Sequence, residues 1–497
     1  MSNIYGKYLL PLLMLLILLP LLIKLSPFLV FSPDIEYVKA KVLRVLEGEL
    51  YADPITGFPT FHPPYYHLFL AGLKTLGPSL NHILVGVTVS NVALLLLFVW
   101  RIIRRQFNER TAFFTCLLLP FIIEFMGCGN IFLATAFYFS LPFYLAGLEQ
   151  YLWPERTTAR TIACGILWGL AFLISPGYLF LIGLAVAAEL LVHRRYRQSL
   201  VLIGTLAAML IPFFVQAYQI FAQSLFGTGA FSFWRGFPDF ELLTTLGRYL
   251  VSPFGRSIGD IRVWIGAGVA VFGLWGMIRT RRDNSLGPIR GFVAVAAAAY
   301  LFTFYHYLPQ YAIRVHLFFS IIVTAFAIHT LFLMNLRRFI RPAILVILAV
   351  FGMSNHFNYS LYHFNKQNAR MIKFDQARAG ICEQLGDYIE PDQYLLATAH
   401  TYRHFVMPHF PVHCLAAYRS GEYYQLTSAV SDRLQIDYTR LMDCNNLECL
   451  DSYCRRYRIS TALIRNGPEF KIAAFQQIAR HWEQVYGDDD FRIYRKP

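Results

Sequence analysis

The stretch SPDIEYVKAKVLRVLEGELYADPITGFPTFHPPYYHLFLAGLKTLG, residues 32–77, decides how the rest of the chain is interpreted. It follows a hydrophobic run, Tyr8 to Phe31, that is long enough to cross a bilayer. Asp34 and Glu36 therefore come where the chain is expected to leave the membrane. A carboxylate just outside the hydrocarbon stays ionised at low cost and still reaches the head group of a lipid. An enzyme that acts on a membrane-embedded substrate needs a base at such a position.

The composition predicts a polytopic α-helical membrane protein. Of 497 residues, 56% are hydrophobic and 15% are charged, and the mean hydropathy is +0.45. Soluble domains carry about 25% charged residues. The net charge of +14 does not indicate nucleic-acid binding, because Lys and Arg fall in short clusters between hydrophobic runs.

Repeated apolar runs predict about eleven transmembrane helices. They are 8–31, 81–103, 111–126, 131–151, 161–175, 177–192, 199–222, 262–278, 289–306, 311–334 and 341–355. With Lys7 in the cytoplasm, the basic clusters around Arg101, Arg194, Arg279 and Arg337 all fall inside, as the positive-inside rule expects. The loops 32–80 and 223–261 and the C-terminal region then lie outside, and we expect a bacterial inner-membrane protein.

Two domains are predicted. Residues 1–360 form the transmembrane domain, and residues 361–497 form a small extracytoplasmic α/β domain. In the tail we expect helices at Gln376–Ile389, Leu447–Tyr457 and Glu469–Trp482, and strands at Tyr394–Thr398, Ile459–Ile464 and Phe491–Tyr494. The tail also holds five cysteines, Cys382, Cys414, Cys444, Cys449 and Cys454, and a disulfide among them is open if the compartment is oxidising.

The first outer loop contains two predicted helices. Apolar residues between Tyr37 and Leu46 alternate with Lys39, Lys41 and Arg44, which favours an amphipathic helix lying flat on the membrane. A turn at Asp53-Pro54 follows. Pro63-Pro64 then opens a helix from Tyr65 to Leu76, because proline suits the first helical turn.

This arrangement resembles the first outer loop of the GT-C glycosyltransferases, in particular the protein O-mannosyltransferases and the lipid A aminoarabinose transferases. In that family an Asp follows the first span, and a helix, a "G..Y.DP" segment and a Pro-Pro helix come next. The resemblance is sharp in residues 33 to 77 and covers the membrane region more loosely. It implies a polyprenyl-phosphate-linked sugar as donor, transfer with inversion, and an acceptor that is a protein, lipid or glycan.

The resemblance assigns the catalytic role to Asp34, with Glu36 as a second candidate. A carboxylate takes the acceptor proton as the new bond forms, and a cation balances the phosphate leaving group. Alternatively, Asp34 is a helix N-cap. Substrate-binding candidates are Tyr37, His62, His306, Arg314, Arg235 and Arg256. The outer loop between the third and fourth spans holds Asn130 in place of the family's acidic residue, so we predict no metal and no cofactor.

Two other classes remain open. A transporter or flippase of a lipid-linked or polar substrate keeps ionisable groups inside its spans, whereas here the charges concentrate in the outer loops. A polymerase or ligase of lipid-linked glycans also has many spans and large outer loops, but the arrangement at residues 33–77 is not expected in it.

Overall fold

The computed structural model describes residues 11–13, 33–53, 63–125, 135–153, 155, 157–175, 179–191, 195–221, 261–306, 309–334, 340–355, 380–390, 393–406, 412–415 and 428–497. Within them the chain is mostly helical. The predicted helices of the first outer loop are present as α1 (Pro33–Leu46) and α2 (Tyr65–Thr75). Gly77, which follows α2, adopts φ +103°, a conformation that glycine reaches without steric cost.

The following ten helices each overlap a predicted span. They are α3 (Leu80–Gln106), α4 (Glu109–Phe125), α5 (Ala136–Tyr151), α6 (Thr158–Ile174), α7 (Leu179–Leu191), α8 (Tyr196–Phe221), α9 (Ile261–Arg279), α10 (Gly287–His306), α11 (Pro309–Leu333) and α12 (Ile340–Asn355). The first predicted span, 8–31, lies outside the described residues except for 11–13. In the described part of the chain, two helical stretches are long and apolar enough to cross a membrane, Leu80–Gln106 and Tyr196–Val215, and the total of about eleven stays a prediction.

Helices α9 and α11 approach closely at glycines. A Cβ added at Gly273 would collide with the carbonyl oxygen of Val323, and one added at Gly276 would collide with Oγ1 of Thr330. Small residues at a helix interface allow backbones to come this close. Other positions on these helices carry apolar side chains that the protein leaves uncovered, such as Val271, which is 68% exposed.

A buried carboxylate joins α3 to α5. Glu149 Oε1 lies 3.0 Å from Arg101 Nε and 3.1 Å from Arg105 Nη1. The Glu149 side chain is 1% exposed, whereas the two arginine side chains are 48% and 27% exposed. We call these three residues the Glu149 cluster. Arg105 also stacks on the ring of Trp153, with its guanidinium carbon 3.3 Å from the ring centroid.

The C-terminal region forms a five-stranded mixed sheet. Its strands are β1 (Tyr394–Leu396), β2 (His413–Cys414), β3 (Ile459–Arg465), β4 (Glu483–Gly487) and β5 (Phe491–Arg495), in the order β2-β1-β3-β5-β4. β1 pairs in parallel with β2 and β3, and β5 pairs antiparallel with β3 and β4. Alternate residues of each strand face opposite layers, so Leu463 and Ala462 belong to two different hydrophobic clusters.

Helices α13 (Ser428–Met442), α14 (Leu447–Arg456) and α15 (Ala473–His481) pack on one face of this sheet. The predicted helix Glu469–Trp482 begins too early, since the helix starts at Ala473 and ends at His481 with Trp482 as its cap. Residues Pro468–Lys471 form a separate 3-10 turn, because the Glu469 carboxylate accepts hydrogen bonds from Thr401 Oγ1 at 2.6 Å and from the Arg465 amide at 2.8 Å. A disulfide joins Cys444, which precedes α14, to Cys449 in the first turn of that helix. Cys454, later in the same helix, is a buried free thiol.

The chain forms two compact units. One contains α3 from Leu84 onwards, α4 to α7, α8 up to Phe213, and α9 to α12. The other contains α1 and α2 together with the C-terminal sheet and its helices. Ala40 of α1 belongs to the same hydrophobic cluster as Leu395 of β1 and Leu463 of β3. The helix that follows the first predicted span is therefore packed against the C-terminal domain.

Candidate functional site

Helix α1 carries the catalytic candidates. It begins at Pro33, so Asp34 lies in the first turn rather than at the residue that precedes the helix. At 100° per residue, positions 34, 37 and 41 fall within about 60° of one another on the helix surface, whereas position 36 lies about 160° from position 34. The backbone therefore places Asp34 on the face of Tyr37 and Lys41, and Glu36 on the other side. The side chains of Asp34 and Glu36 lie outside the described residues.

Tyr37, a predicted substrate-binding residue, holds a buried carboxylate. Its hydroxyl donates a hydrogen bond of 3.3 Å to Oδ1 of Asp53, which is 6% exposed. Asp53 was expected only to shape a turn before Pro54. Instead, it is a buried acceptor sixteen residues along the chain from Tyr37, and it fixes the end of the 47–53 segment against α1.

Lys41 ties the same segment down one turn further along α1. Its side chain is 1% exposed, and its ammonium group donates a hydrogen bond to the carbonyl oxygen of Ala52. Burial lowers the pKa of Lys41 from 10.5 to about 8, although the negative charges of Asp53 and Glu49 act in the opposite direction. A lysine ammonium in this position is charged at neutral pH but close to losing its proton.

Arg44 extends the arrangement to the C-terminal sheet. Its Nη1 lies 3.2 Å from Glu47 Oε2 and 3.6 Å from Glu49 Oε2, and its side chain is 2% exposed. Arg44 Nη2 donates to Nδ1 of His413 on strand β2 at 3.0 Å. We call Tyr37, Lys41, Arg44, Asp53 and His413 the α1 cluster.

His413 is the neutral acceptor of this cluster. Arginine has no acceptor atom, so Nδ1 of His413 must accept and its proton must lie on Nε2. Burial, reinforced by the charge of Arg44, lowers the pKa of His413 to about 3. The ring of Tyr394 on β1 lies beside it, with centroids 5.4 Å apart. The histidine therefore stays uncharged over the physiological range.

The other predicted site residues are located only by their backbone or fall outside the described chain. His306 is the last residue of α10, and Arg314 lies in the second turn of α11, but their side chains are not among the described ones. His62, Arg235 and Arg256 lie outside the described residues altogether. Their roles stay predictions.

Sequence reasoning overlooked the buried cations of α1. Lys39, Lys41 and Arg44 were expected on the solvent side of a helix lying on the membrane, but they are 4%, 1% and 2% exposed. That interpretation of the helix is wrong, because all three side chains are buried and Arg44 contacts His413 on strand β2 of the C-terminal sheet. The sequence signal that could have linked Lys41 and Arg44 to the candidate base is their spacing, because positions 41 and 44 come about two and about three helical turns after Asp34 on the same side of the helix. Among the described residues no three His, Cys, Asp or Glu side chains converge as a metal site would require.

The comparisons with known proteins identify the fold. No protein-family model matches the chain, and no curated protein matches it. Among solved structures, ArnT from Cupriavidus metallidurans bound to undecaprenyl phosphate matches with a TM-score of 0.62 and 14% identity, covering 97% of both chains. The apo state of the same ArnT matches with a TM-score of 0.62, 13% identity and 98% coverage of both chains.

A second kind of protein shares the same fold. The apo oligosaccharyltransferase of Archaeoglobus fulgidus matches with a TM-score of 0.52 and 13% identity, over 93% of this chain and 70% of that one. Both ArnT, a lipid A aminoarabinose transferase, and the oligosaccharyltransferase are GT-C glycosyltransferases. The chain therefore shares the fold of these two transferases, as the resemblance implied.

Proposed function

We propose that this protein is a membrane-embedded glycosyltransferase that moves a sugar from a polyprenyl-phosphate donor to an acceptor at the outer face of the membrane. The observation that carries the proposal is the similarity of fold, over 97% of both chains, to an ArnT that binds undecaprenyl phosphate. The acidic first turn of α1, directly after the first hydrophobic run, supplies the chemistry that such a reaction needs.

In this reaction Asp34 is the general base. The acceptor oxygen attacks the anomeric carbon, its proton passes to the Asp34 carboxylate, and the bond from that carbon to the phosphate oxygen breaks. The lipid phosphate leaves with the bonding electrons, and the configuration at the anomeric carbon is inverted. Cations balance the charge that builds on the phosphate, and the candidates are Arg314, Arg235 and Arg256, with His62, His306 and Tyr37 as further contacts to the sugar and phosphate.

The α1 cluster holds the base in place. Lys41 and Asp53 fix the 47–53 segment to α1, and the contact from Arg44 to His413 fixes α1 to the sheet. A catalytic group displaced by about 1 Å loses on the order of a hundredfold in rate. Lys41, Arg44, Asp53 and His413 are positioning residues: they act through α1 and not on the sugar itself.

Two physical arguments support the location that we propose for this protein. Large apolar side chains such as Leu200, Val271 and Ile347 are 65–68% exposed on long helices, as in helices that face lipid. The disulfide between Cys444 and Cys449 favours an oxidising compartment for the C-terminal domain. Together with the positive-inside pattern, they support an inner-membrane protein with a cytoplasmic N-terminus and an extracytoplasmic C-terminal domain.

The test measures transfer or hydrolysis of a radiolabelled polyprenyl-phosphate sugar by the purified protein in nanodiscs. We expect Asp34→Asn to reduce the rate on the order of 10²- to 10⁴-fold, because the acceptor loses its general base. Glu36→Gln tests the second candidate: wild-type rates in this variant would assign the base to Asp34 alone, and a comparable loss would show that Glu36 also takes part. Both variants are expected to keep the wild-type melting temperature.

Other outcomes point to other classes. If the labelled substrate crosses the membrane of proteoliposomes with its sugar–phosphate bond intact, the protein is a transporter or flippase. If lengthened lipid-linked glycans accumulate, it is a polymerase or ligase. Equal activity of wild type and Asp34→Asn would overturn the role given to Asp34.

A further inference from the structure

Three stacked side chains lie at one end of the helical unit, away from the proposed reaction. The guanidinium carbons of Arg105 and Arg160 each lie 3.3 Å from the centroid of the Trp153 ring. Two guanidinium groups at that distance would overlap if they shared a face, so they occupy opposite faces of the indole. Arg105 belongs to the last turn of α3, Trp153 to the connection between α5 and α6, and Arg160 to the first turn of α6. We call these three residues the Trp153 stack.

The positive charge of the Trp153 stack is only partly balanced by the chain. The Glu149 carboxylate is shared between Arg105 and Arg101, so that with Arg160 one anion faces three cations. Among the described residues Arg160 makes no ion pair, and its Nη1 is buried without a hydrogen-bond acceptor. Glu155, in the same connection, is exposed and likewise makes no ion pair in the described part of the chain. Stacking explains the position of the three side chains, but it leaves two positive charges without a counter-charge.

The Trp153 stack lies at the level where lipid phosphates are expected. Helix α3 is long and apolar enough to cross a membrane, and its last turn carries Arg105. Gln106 Nε2, in the same turn, donates a hydrogen bond of 3.2 Å to the carbonyl oxygen of Leu152, which holds the α5–α6 connection at the end of α3. The head-group region begins where such an apolar helix ends. Tryptophan is enriched at this boundary, and the positive-inside pattern predicts that this end faces the cytoplasm.

We propose that the Trp153 stack binds the phosphate of an anionic phospholipid in the cytoplasmic leaflet. Arg105 and Arg160 present planar donors from the two sides of the indole, and the phosphate oxygens accept from them. An anionic lipid also brings the net negative charge that the stack lacks, whereas the charges of a zwitterionic head group cancel. Basic sites between membrane helices on the cytoplasmic side recognise anionic head groups in this way. The lipid stabilises this end of α3, α5 and α6 and takes no part in sugar transfer.

The test measures lipid binding to the delipidated full-length protein in a neutral detergent by native mass spectrometry. Phosphatidylglycerol and phosphatidylcholine with identical acyl chains are the probes. We expect the wild type to bind phosphatidylglycerol at least about fivefold more tightly, and to melt at a higher temperature with it. Arg160→Gln is expected to raise the Kd for phosphatidylglycerol about fivefold, because one cation near the head group is lost. Equal affinity of the wild type for the two lipids would overturn the proposal.

The aromatic ring offers a second pair of variants. Trp153→Phe keeps a flat face for both guanidinium groups and should bind phosphatidylglycerol like the wild type, whereas Trp153→Leu should weaken binding about as much as Arg160→Gln. Arg282→Gln is the control, because it removes an exposed arginine from another predicted cytoplasmic cluster, and wild-type binding is expected from it. Equal losses in Arg282→Gln and Arg160→Gln would mean that the attraction is general, and the site is then refuted. Wild-type binding by Arg160→Gln refutes it as well.

Competition with soluble anions separates a lipid from a free phosphate as the occupant. Inorganic phosphate and glycerol 3-phosphate are added to the wild type with phosphatidylglycerol bound. Retention of the lipid is the expected result, because its acyl chains add binding that the soluble anions lack. Displacement of the lipid by either anion at an equal concentration would identify a soluble ligand and overturn the assignment to a phospholipid. Because no sugar donor is present, failure of this site leaves the proposed transferase activity untouched.

Discussion

The Glu149 cluster and the α1 cluster both contain buried ionised side chains, but the buried charge is an anion in the first and a pair of cations in the second. In the Glu149 cluster a single carboxylate is buried, and both of its arginines keep part of their side chains in water. In the α1 cluster the cations themselves are buried, Lys41 at 1% and Arg44 at 2% exposure. Burying a cation costs several kcal/mol before its partners compensate. The Glu149 cluster therefore links two helices with a small desolvation penalty. The α1 cluster has a larger desolvation penalty, and we infer that it is retained for a reason other than stability.

The difference lies in what each cluster holds. The Glu149 cluster joins α3 to α5 through two arginines of a basic cluster that the positive-inside pattern predicts on the cytoplasmic side. The α1 cluster joins a helix that carries the proposed base to a loop and to a sheet from the other end of the chain. We infer that the Glu149 cluster stabilises the helical unit. The α1 cluster instead fixes the position of α1 against the 47–53 segment and the C-terminal sheet.

Between the two clusters, the largest expected effect comes from removing the buried lysine. Lys41→Met is expected to reduce sugar transfer about a hundredfold, because the 47–53 segment is released and the base on α1 loses its position. The melting temperature should also fall, since Asp53 stays buried without the ammonium that balances it, so transfer is compared per folded molecule. Rates with labelled donor and thermal unfolding of the same samples provide the measurement.

Arg101→Met is the matched control, because it removes a cation from the Glu149 cluster and leaves Arg105 on the carboxylate. We expect wild-type transfer from it. A comparable loss of activity in both variants would mean that the two clusters do not differ in function.

A smaller effect, on stability, is expected in the other cluster. Glu149→Gln leaves two arginines without their carboxylate, and the free energy of unfolding should fall by about 2 kcal/mol, less than for a fully buried pair because water reaches both cations. Transfer per folded molecule should be unchanged. Denaturation in detergent, compared with donor turnover, measures both quantities, and a selective loss of turnover would contradict the structural role.

The last effect is a dependence on pH that we expect from Lys41 of the α1 cluster. Its pKa is about 8 in the folded protein and 10.5 when unfolded, so the unfolded state binds more protons between these values and stability rises with pH across that window. Transfer should instead fall as pH rises through about 8, roughly tenfold per unit beyond the pKa, because the neutral amine no longer holds Asp53. Opposite trends of stability and activity are the expected result.

Two substitutions sharpen this prediction. Lys41→Arg keeps its charge at every accessible pH and should abolish the fall in transfer above pH 8. His413→Gln should leave the alkaline profile unchanged, because His413 is already neutral there. If stability and transfer of the wild type decline together, Lys41 has only a structural role.

Much of the fold could be predicted from local sequence because its signals are local. Ten hydrophobic runs agree with α3 to α12, and Pro63-Pro64 precedes α2 at the expected residue. Apolar runs and proline act on the segment in which they lie, so no knowledge of neighbours is needed. The strand β4 was missed because its residues, Glu483 to Gly487, are mostly polar and occupy the edge of the sheet, where alternation is weak.

The site was predicted only in outline. The sequence by itself determined that carboxylates follow the first hydrophobic run and that a Pro-Pro helix comes after them, since both depend on the order of residues. Only the tertiary structure decided that Lys41 and Arg44 face inward, that Asp53 accepts from Tyr37, and that His413 meets Arg44. The exposure of a charged face is set by whatever packs against it, and here that partner comes from a strand 369 residues further along the chain.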